Sequence, residues 1–294
     1  MGDYLFSYAT PDDPPVKRGL IRLIEKSTGQ PRLKALYLHN QSHPRPNESF
    51  WAAAVRSLDL DVQYDRAALA KLPKRGPLVV VANHPYGVLD GIVISWLIEK
   101  IRPDFHVLTN AVLMRAPEVR KYVLPVDFSG SDEAMKTNIA SRAAARAALE
   151  RGEAVVIFPA GGVSTTPDRL GRKPAVDAPW QPFVSQLVQR AQAPVAPVWF
   201  GGQNSRLFQV ASHLSLTLRL SLIFHEVRTR IGASLPVKIG SVIPFDELAD
   251  LKDRQQLADA LRERTYALAP AARVPKARHA RKLLNALKKL KGVA

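Results

Sequence analysis

The 294-residue chain is 46% hydrophobic and carries 42 Lys and Arg against 26 Asp and Glu, a formal net charge of +16. That is enough apolar material to bury one large core without metals or cross-links. The absence of cysteine excludes a disulfide framework, a cysteine nucleophile and a thiolate metal site. The charge favours anionic partners without choosing among nucleic acid, lipid headgroups and an acidic carrier protein.

The opening MGDYLFSYATPDDPP puts Asp3, Asp12 and Asp13 where an export signal needs a basic flank and then an apolar run, so a cytoplasmic protein is expected. Its longest apolar stretches, such as Pro77 to Ala82 and Ile92 to Ile98, fall far short of the roughly 20 residues that span a bilayer. From Val16 to Leu38, Leu20, Ile21, Leu23 and Ile24 recur near helical spacing among Lys17, Arg18, Arg22 and Lys26. Such a basic amphipathic element either packs on the core or lies on a membrane surface, and both readings stay open.

In the middle of the chain, β-rich runs at Leu78 to Ala82, Phe105 to Leu108, Ala154 to Phe158 and Val195 to Phe200 alternate with helical stretches. These helices are predicted at Ile92 to Lys100, Asp132 to Arg151 and Gln181 to Ala191. Strand followed by helix, repeated, predicts an α/β fold with a largely parallel central sheet flanked by helices. A further strand, Pro236 to Ile243, is followed by a predicted helix over Asp246 to Leu268, with Asp246 as its N-cap and Leu248, Leu251, Leu257 and Leu261 as its apolar stripe. The tail from Arg264 to Ala294 has no acidic residue. In it Leu283, Leu284, Leu287 and Leu290 sit among lysines and arginines at helical spacing, which fits an anionic membrane surface.

Two strand exits carry chemistry. After GPLVVVAN come His84, Pro85, Tyr86, Gly87 and, further on, Asp90. Six positions apart, His84 and Asp90 cannot share a face of one regular helix, so the turn has to bring them together. An imidazole oriented by a carboxylate can then take a proton from an attacking hydroxyl. The second exit runs from Phe158 and Pro159 into Gly161, Gly162, Val163 and Ser164, a glycine turn whose backbone N–H groups can approach an anion or a developing oxyanion. In parallel α/β sheets the carboxyl ends of strands are where ligands gather.

Together the two blocks resemble the lysophospholipid acyltransferase family, the PlsC-like glycerolipid acyltransferases. Asn83, His84 and Asp90 match its first block, and Phe158, Pro159, Gly161 and Ser164 its third. Weaker matches to the second and fourth blocks run from Tyr122 to Asp127 and from Ala193 to Val198. Ala160 and Val163 stand where the main family has Glu and Arg, and that Arg is the family's grip on a glycerol-phosphate acceptor. NHPYGVLDG and FPAGGVS look instead like the hemolysin-related branch, which includes aminolipid O-acyltransferases such as the enzyme that completes ornithine lipid.

The resemblance implies that a fatty acyl group passes from an acyl carrier protein or coenzyme A thioester, as co-substrate and with no cofactor, to the hydroxyl of a lyso-aminolipid such as lyso-ornithine lipid or a sulfur-containing relative. His84 and Asp90 would be catalytic, while Asn83, Phe158, Pro159, Gly161, Gly162 and Ser164 would shape the substrate site. Asn110 and Arg115, beyond the strand at Phe105 to Leu108, are candidates for gripping the acceptor headgroup, though Arg115 fits a solvated helix position equally well. The expected organisation is a membrane-contacting segment over residues 1–50, an acyltransferase domain over 51–270 and a basic helix over 271–294. Its expected place is the cytoplasmic face of the bacterial inner membrane, as a peripheral protein.

Other readings fare worse. A Gly-x-Ser-x-Gly elbow, a P-loop and a dinucleotide fingerprint are missing, and His225-Glu226 lacks the second histidine of a zinc-protease helix because Thr229 holds that place, so no metal is expected. A lysophosphatidate acyltransferase, a nucleic-acid-binding protein using the basic ends, and a catalytically silent membrane scaffold are the alternatives. Against nucleic acid stands the lack of a binding motif and of aromatics interleaved with the basic residues.

Overall fold

The structure is a computed structural model that describes residues 7–9, 14–127 and 130–270. The expected C-terminal basic helix lies outside the described residues. The chain runs α1 (Pro15–Thr28), α2 (Gln30–Ser42), α3 (Phe50–Ser57), β1 (Asp61–Gln63), α4 (Arg66–Ala70), β2 (Leu78–Ala82), α5 (Val88–Glu99), β3 (Phe105–Asn110) and β4 (Val123–Val126). It continues through α6 (Asp132–Glu150), β5 (Ala154–Ile157), α7 (Phe183–Ala191), β6 (Val195–Phe200), α8 (Arg206–Leu214), α9 (Leu216–Ser221), α10 (Ile223–Thr229), β7 (Ser234–Ile239) and α11 (Arg254–Tyr266).

The strands form a seven-stranded sheet in the order β1-β7-β6-β2-β5-β3-β4. From β6 to β4 neighbouring strands are parallel, while β7 runs antiparallel to β6 and parallel to β1. The expected largely parallel sheet is therefore present. Every residue of β2 is buried, which is why LVVVA is a continuous apolar run rather than an alternating one. Leu78, Val80 and Ala82 join a core with Trp51, Val93 and Leu97 from α3 and α5. Val79 and Val81 face the opposite core, with Ala145, Val184 and Leu261 from α6, α7 and α11.

The amphipathic N-terminal element is two helices, broken at Gly29, whose φ of +152° and crowding against Arg228 suit no side chain. In α1, Ile21 is buried, whereas Val16, Leu20 and Leu23 are exposed. The last helix begins later than expected. Phe245–Glu247 is a single 3₁₀ turn, and the N-cap is Asp253, whose carboxylate accepts from Gln256 N at 2.8 Å. Leu248 still fills the core that Leu257 and Leu261 reach from α11, so the apolar stripe is satisfied partly by a turn. The strand expected over Pro236 to Ile243 ends at Ile239. Gly240 packs so tightly on Pro197 that a Cβ there would stand 2.8 Å from its ring, and Ile243 returns to pair with Val195.

Candidate active site

The exits of β2, β5 and β3 meet at one end of the sheet because those strands are neighbours. Asn83, the first residue past β2, pairs with Phe200 as if extending the ladder: its Nδ2 donates to the Phe200 carbonyl at 2.9 Å and its Oδ1 accepts from Phe200 N at 2.7 Å. The chain then turns through Pro85 and Gly87 into α5. Gly87 adopts φ +80°, which only glycine takes without strain.

Asp90 lies at the third position of α5, wholly buried. Its Oδ2 accepts from Tyr86 N at 2.8 Å and Gly87 N at 2.9 Å, so it caps the helix at the end where the helix dipole favours negative charge. The same oxygen is 3.1 Å from His84 Nδ1, within hydrogen-bond distance although the ring N–H is not aligned on it, and Asp90 Oδ1 has no partner among the described residues. Burial pushes the Asp90 carboxyl above its ordinary value, against the opposing pull of His84 and the two amides.

The His84 ring stacks on Phe158, the first residue past β5, with centroids 4.1 Å apart. With Nδ1 turned to Asp90, the ring also lines a cavity of about 590 Å³, which falls in the usual range for small-molecule sites. Apolar side chains from α5, α7 and α9 form much of its wall.

Of the residues singled out in the sequence, Asn110, Phe158, Pro159, Gly161 and Gly162 line the same cavity as His84. Gly161 N is occupied by the Phe158 carbonyl at 3.0 Å. Among the described residues Gly162 N has no acceptor, so of the two glycines it is the one free to meet an oxyanion. Asn83 and Ser164 are buried braces behind the wall. Arg115 does not line the cavity; its guanidinium donates to the Ser7 carbonyl and so fastens the N-terminal segment, of which Tyr8 reaches the cavity wall.

Sequence reasoning missed Asp177, which organises the site from behind. Its Oδ1 accepts from His84 N at 3.1 Å and Ser164 Oγ at 2.5 Å, and its Oδ2 accepts from Trp180 Nε1 at 2.9 Å. Ser164 N in turn donates to the His84 carbonyl at 2.8 Å, so the two motif blocks are tied backbone to backbone as well. Asp177→Asn has to oppose an amide N–H₂ to one of those three donors, and we expect a loss of about 2 kcal/mol in urea denaturation. A midpoint equal to that of the wild type would show that the network is slack. Also missed were Arg142 and Arg219, two arginines on the cavity wall. Arg219 left a signal, because it is the one charged residue in the run from Leu214 to Phe224.

A family model described as Acyltransferase matches residues 34–272. The chain is 24% identical over 237 residues to a lyso-glycine lipid O-acyltransferase of Bacteroides thetaiotaomicron, covering 78% of this chain and 83% of that protein. It is also 24% identical over 217 residues to a lyso-glycine lipid O-acyltransferase of Phocaeicola vulgatus, covering 71% and 74%. Among solved structures it is similar to the crystal structure of the 1-acyl-sn-glycerophosphate (LPA) acyltransferase PlsC from Thermotoga maritima, at 17% identity and a TM-score of 0.47 over 92% of this chain and 90% of that one.

Proposed function

Because this chain belongs to the acyltransferase family, we propose that it is an O-acyltransferase that moves a fatty acyl group from a thioester to the hydroxyl of a lyso-aminolipid. The observation that carries the reading is His84 on the wall of a largely apolar cavity, with its Nδ1 3.1 Å from the buried Asp90. The names of the two curated relatives favour an amino-acid headgroup in the acceptor, glycine ahead of ornithine.

In this reading His84 Nε2 takes the proton of the acceptor hydroxyl as its oxygen attacks the thioester carbonyl. Asp90 holds the imidazole in one tautomer and balances its positive charge. Gly162 N–H stabilises the oxyanion. Collapse of the tetrahedral intermediate forms the ester, breaks the C–S bond and returns the proton from His84 to the departing thiolate. Acyl carrier protein and coenzyme A thioesters both suit the step, and both are anionic partners that the net charge of +16 attracts.

No helix among the described residues is long and apolar enough to cross a membrane. Exposed Leu20 and Leu23 on α1, with Leu214 and Leu216 at the α8–α9 junction, support docking on an anionic membrane surface, assisted by Lys17 and Lys26. α9 packs against both α1 and α8, which puts those leucines on adjoining helices.

The test is acyl transfer by the purified protein, offering both thioesters to lyso-glycine lipid, lyso-ornithine lipid and lysophosphatidate. Diacylated aminolipid is the expected product. Product from lysophosphatidate alone would overturn the choice of acceptor.

Asp90 gives a second expectation, on stability. An acid whose pKa is raised by folding loses its proton at lower pH in the unfolded chain than in the native one. Above the unfolded value of about 3.9, the native state is therefore progressively disfavoured until the native pKa is passed. Asp90→Asn removes that penalty and keeps an acceptor for the two amides. At pH 8 the variant is expected to melt above the wild type, with the gap closing towards pH 4, while acyl transfer falls. A variant that melts lower at pH 8 would show that the carboxylate stabilises the fold.

A further inference from the structure

The cavity contains a guanidinium that the proton transfer does not use. Arg219 projects from α9 and is half-buried, beside Leu216, Leu220 and Ile223 on the wall that His84 also lines. It donates to the Val163 carbonyl and stands 3.7 Å from where a Cβ on Gly162 would be. Its guanidinium carbon lies 5.7 Å from the centre of the Phe208 ring. It therefore reaches the third-block turn, whose next residue, Ser164, is hydrogen-bonded to the His84 carbonyl at 2.8 Å.

Among the described residues no carboxylate pairs with Arg219, and burial alone holds its pKa below the ordinary arginine value. A guanidinium carries five N–H donors and keeps its charge. One carbonyl and one ring face leave most of those donors without a protein partner among the described residues, which leaves room for an anion. Arg142, the other arginine on the wall, is exposed and lies over Phe183, with its guanidinium carbon 5.0 Å from the ring centre. A single half-buried cation suits a monoanion, and its flat fork suits a carboxylate in particular.

Resting on the aminolipid reading above, we infer that Arg219 recognises the acceptor: its guanidinium binds the headgroup carboxylate of the lyso-amino-acid lipid and so sets the acceptor hydroxyl at His84.

The test compares a lyso-glycine lipid with its primary amide, in the wild type, Arg219→Gln and Arg219→Lys, using coenzyme A and uncharged pantetheine thioesters as donors. In the wild type, kcat/KM for the carboxylate acceptor is expected to exceed that for the amide by about 10- to 100-fold. Arg219→Gln should lose that preference through the acceptor KM, and Arg219→Lys should restore part of it. A wild type that uses both acceptors equally, or an Arg219→Gln variant that keeps the preference, overturns the inference and leaves the acyltransferase reading standing. A variant whose defect falls on the coenzyme A thioester but not the pantetheine one assigns the guanidinium to a donor phosphate, which also overturns it. Absence of transfer to either acceptor in the wild type removes the aminolipid reading and the inference together. The wild-type ratio is read on the unaltered protein, so a poorly folding variant does not shield the inference.

Discussion

Replacing His84 by alanine is expected to lower kcat for acyl transfer by about 10²- to 10⁴-fold, the usual contribution of a positioned general base. kcat and kcat/KM should fall together with the acceptor KM little changed, because the lost interaction forms only as the hydroxyl gives up its proton. The fold should survive. The backbone bonds of His84 to Asp177 and Ser164 do not involve the ring, and the lost stacking on Phe158 is worth about 0.5 to 1.5 kcal/mol. Single-turnover kinetics beside a circular dichroism melt would decide the matter. A variant that keeps a tenth of the wild-type rate would remove His84 from the role of base.

Gly202→Ala should be the most damaging of the glycine-to-alanine changes among the described residues. Gly202 follows β6 with φ +106°, a conformation that side chains rarely adopt, and an added Cβ would overlap the Tyr86 hydroxyl. That hydroxyl donates to the Gly201 carbonyl at 2.8 Å, the Arg230 guanidinium carbon lies 4.8 Å from the centre of the same ring, and the side chain is buried, so moving Tyr86 aside disturbs packed contacts. Backbone strain and overpacking together give an expected loss of about 3 to 5 kcal/mol in chemical denaturation. Activity should fall further than the folded fraction does, because Tyr86 N also holds Asp90 Oδ2. Adding Tyr86→Phe removes the overlapping oxygen, and the double variant should be more stable than the sum of the two single losses. Strict additivity would mean that the clash is not with the hydroxyl.

The parts of the fold legible in the sequence were those written in local patterns. β2 announced itself as an unbroken apolar run bounded by Gly76-Pro77 and Asn83, and the His84–Asp90 pair by its place on the following turn. Asp246 and Asp253 are both good caps by residue type, and only the core position of Leu248 decides for the second. β1 is three residues with exposed ends, held by pairing with β7, and carries no apolar signature to find. Asp177 was invisible for the same reason, since its three donors come from residues 84, 164 and 180 and meet only after folding. Arg115, which by its place after a strand exit fits a headgroup ligand and a solvated helix position equally, donates to the Ser7 carbonyl, 108 residues earlier. Arg219 could have been found, had a solitary charge in an apolar stretch been weighed.

The strand order has a consequence for the chain during its synthesis. β2 pairs with β5 on one edge and β6 on the other, and both are made later. The wholly apolar LVVVA segment therefore leaves the ribosome with neither edge satisfied, and roughly 115 residues, about 6 to 23 s of elongation, must follow before β6 can close the second one. Asn83 waits for Phe200 over the same interval. His84 is thus among the first site residues to be made and among the last to be set in place, and the nascent chain is most exposed to mispairing at the strand that delivers it.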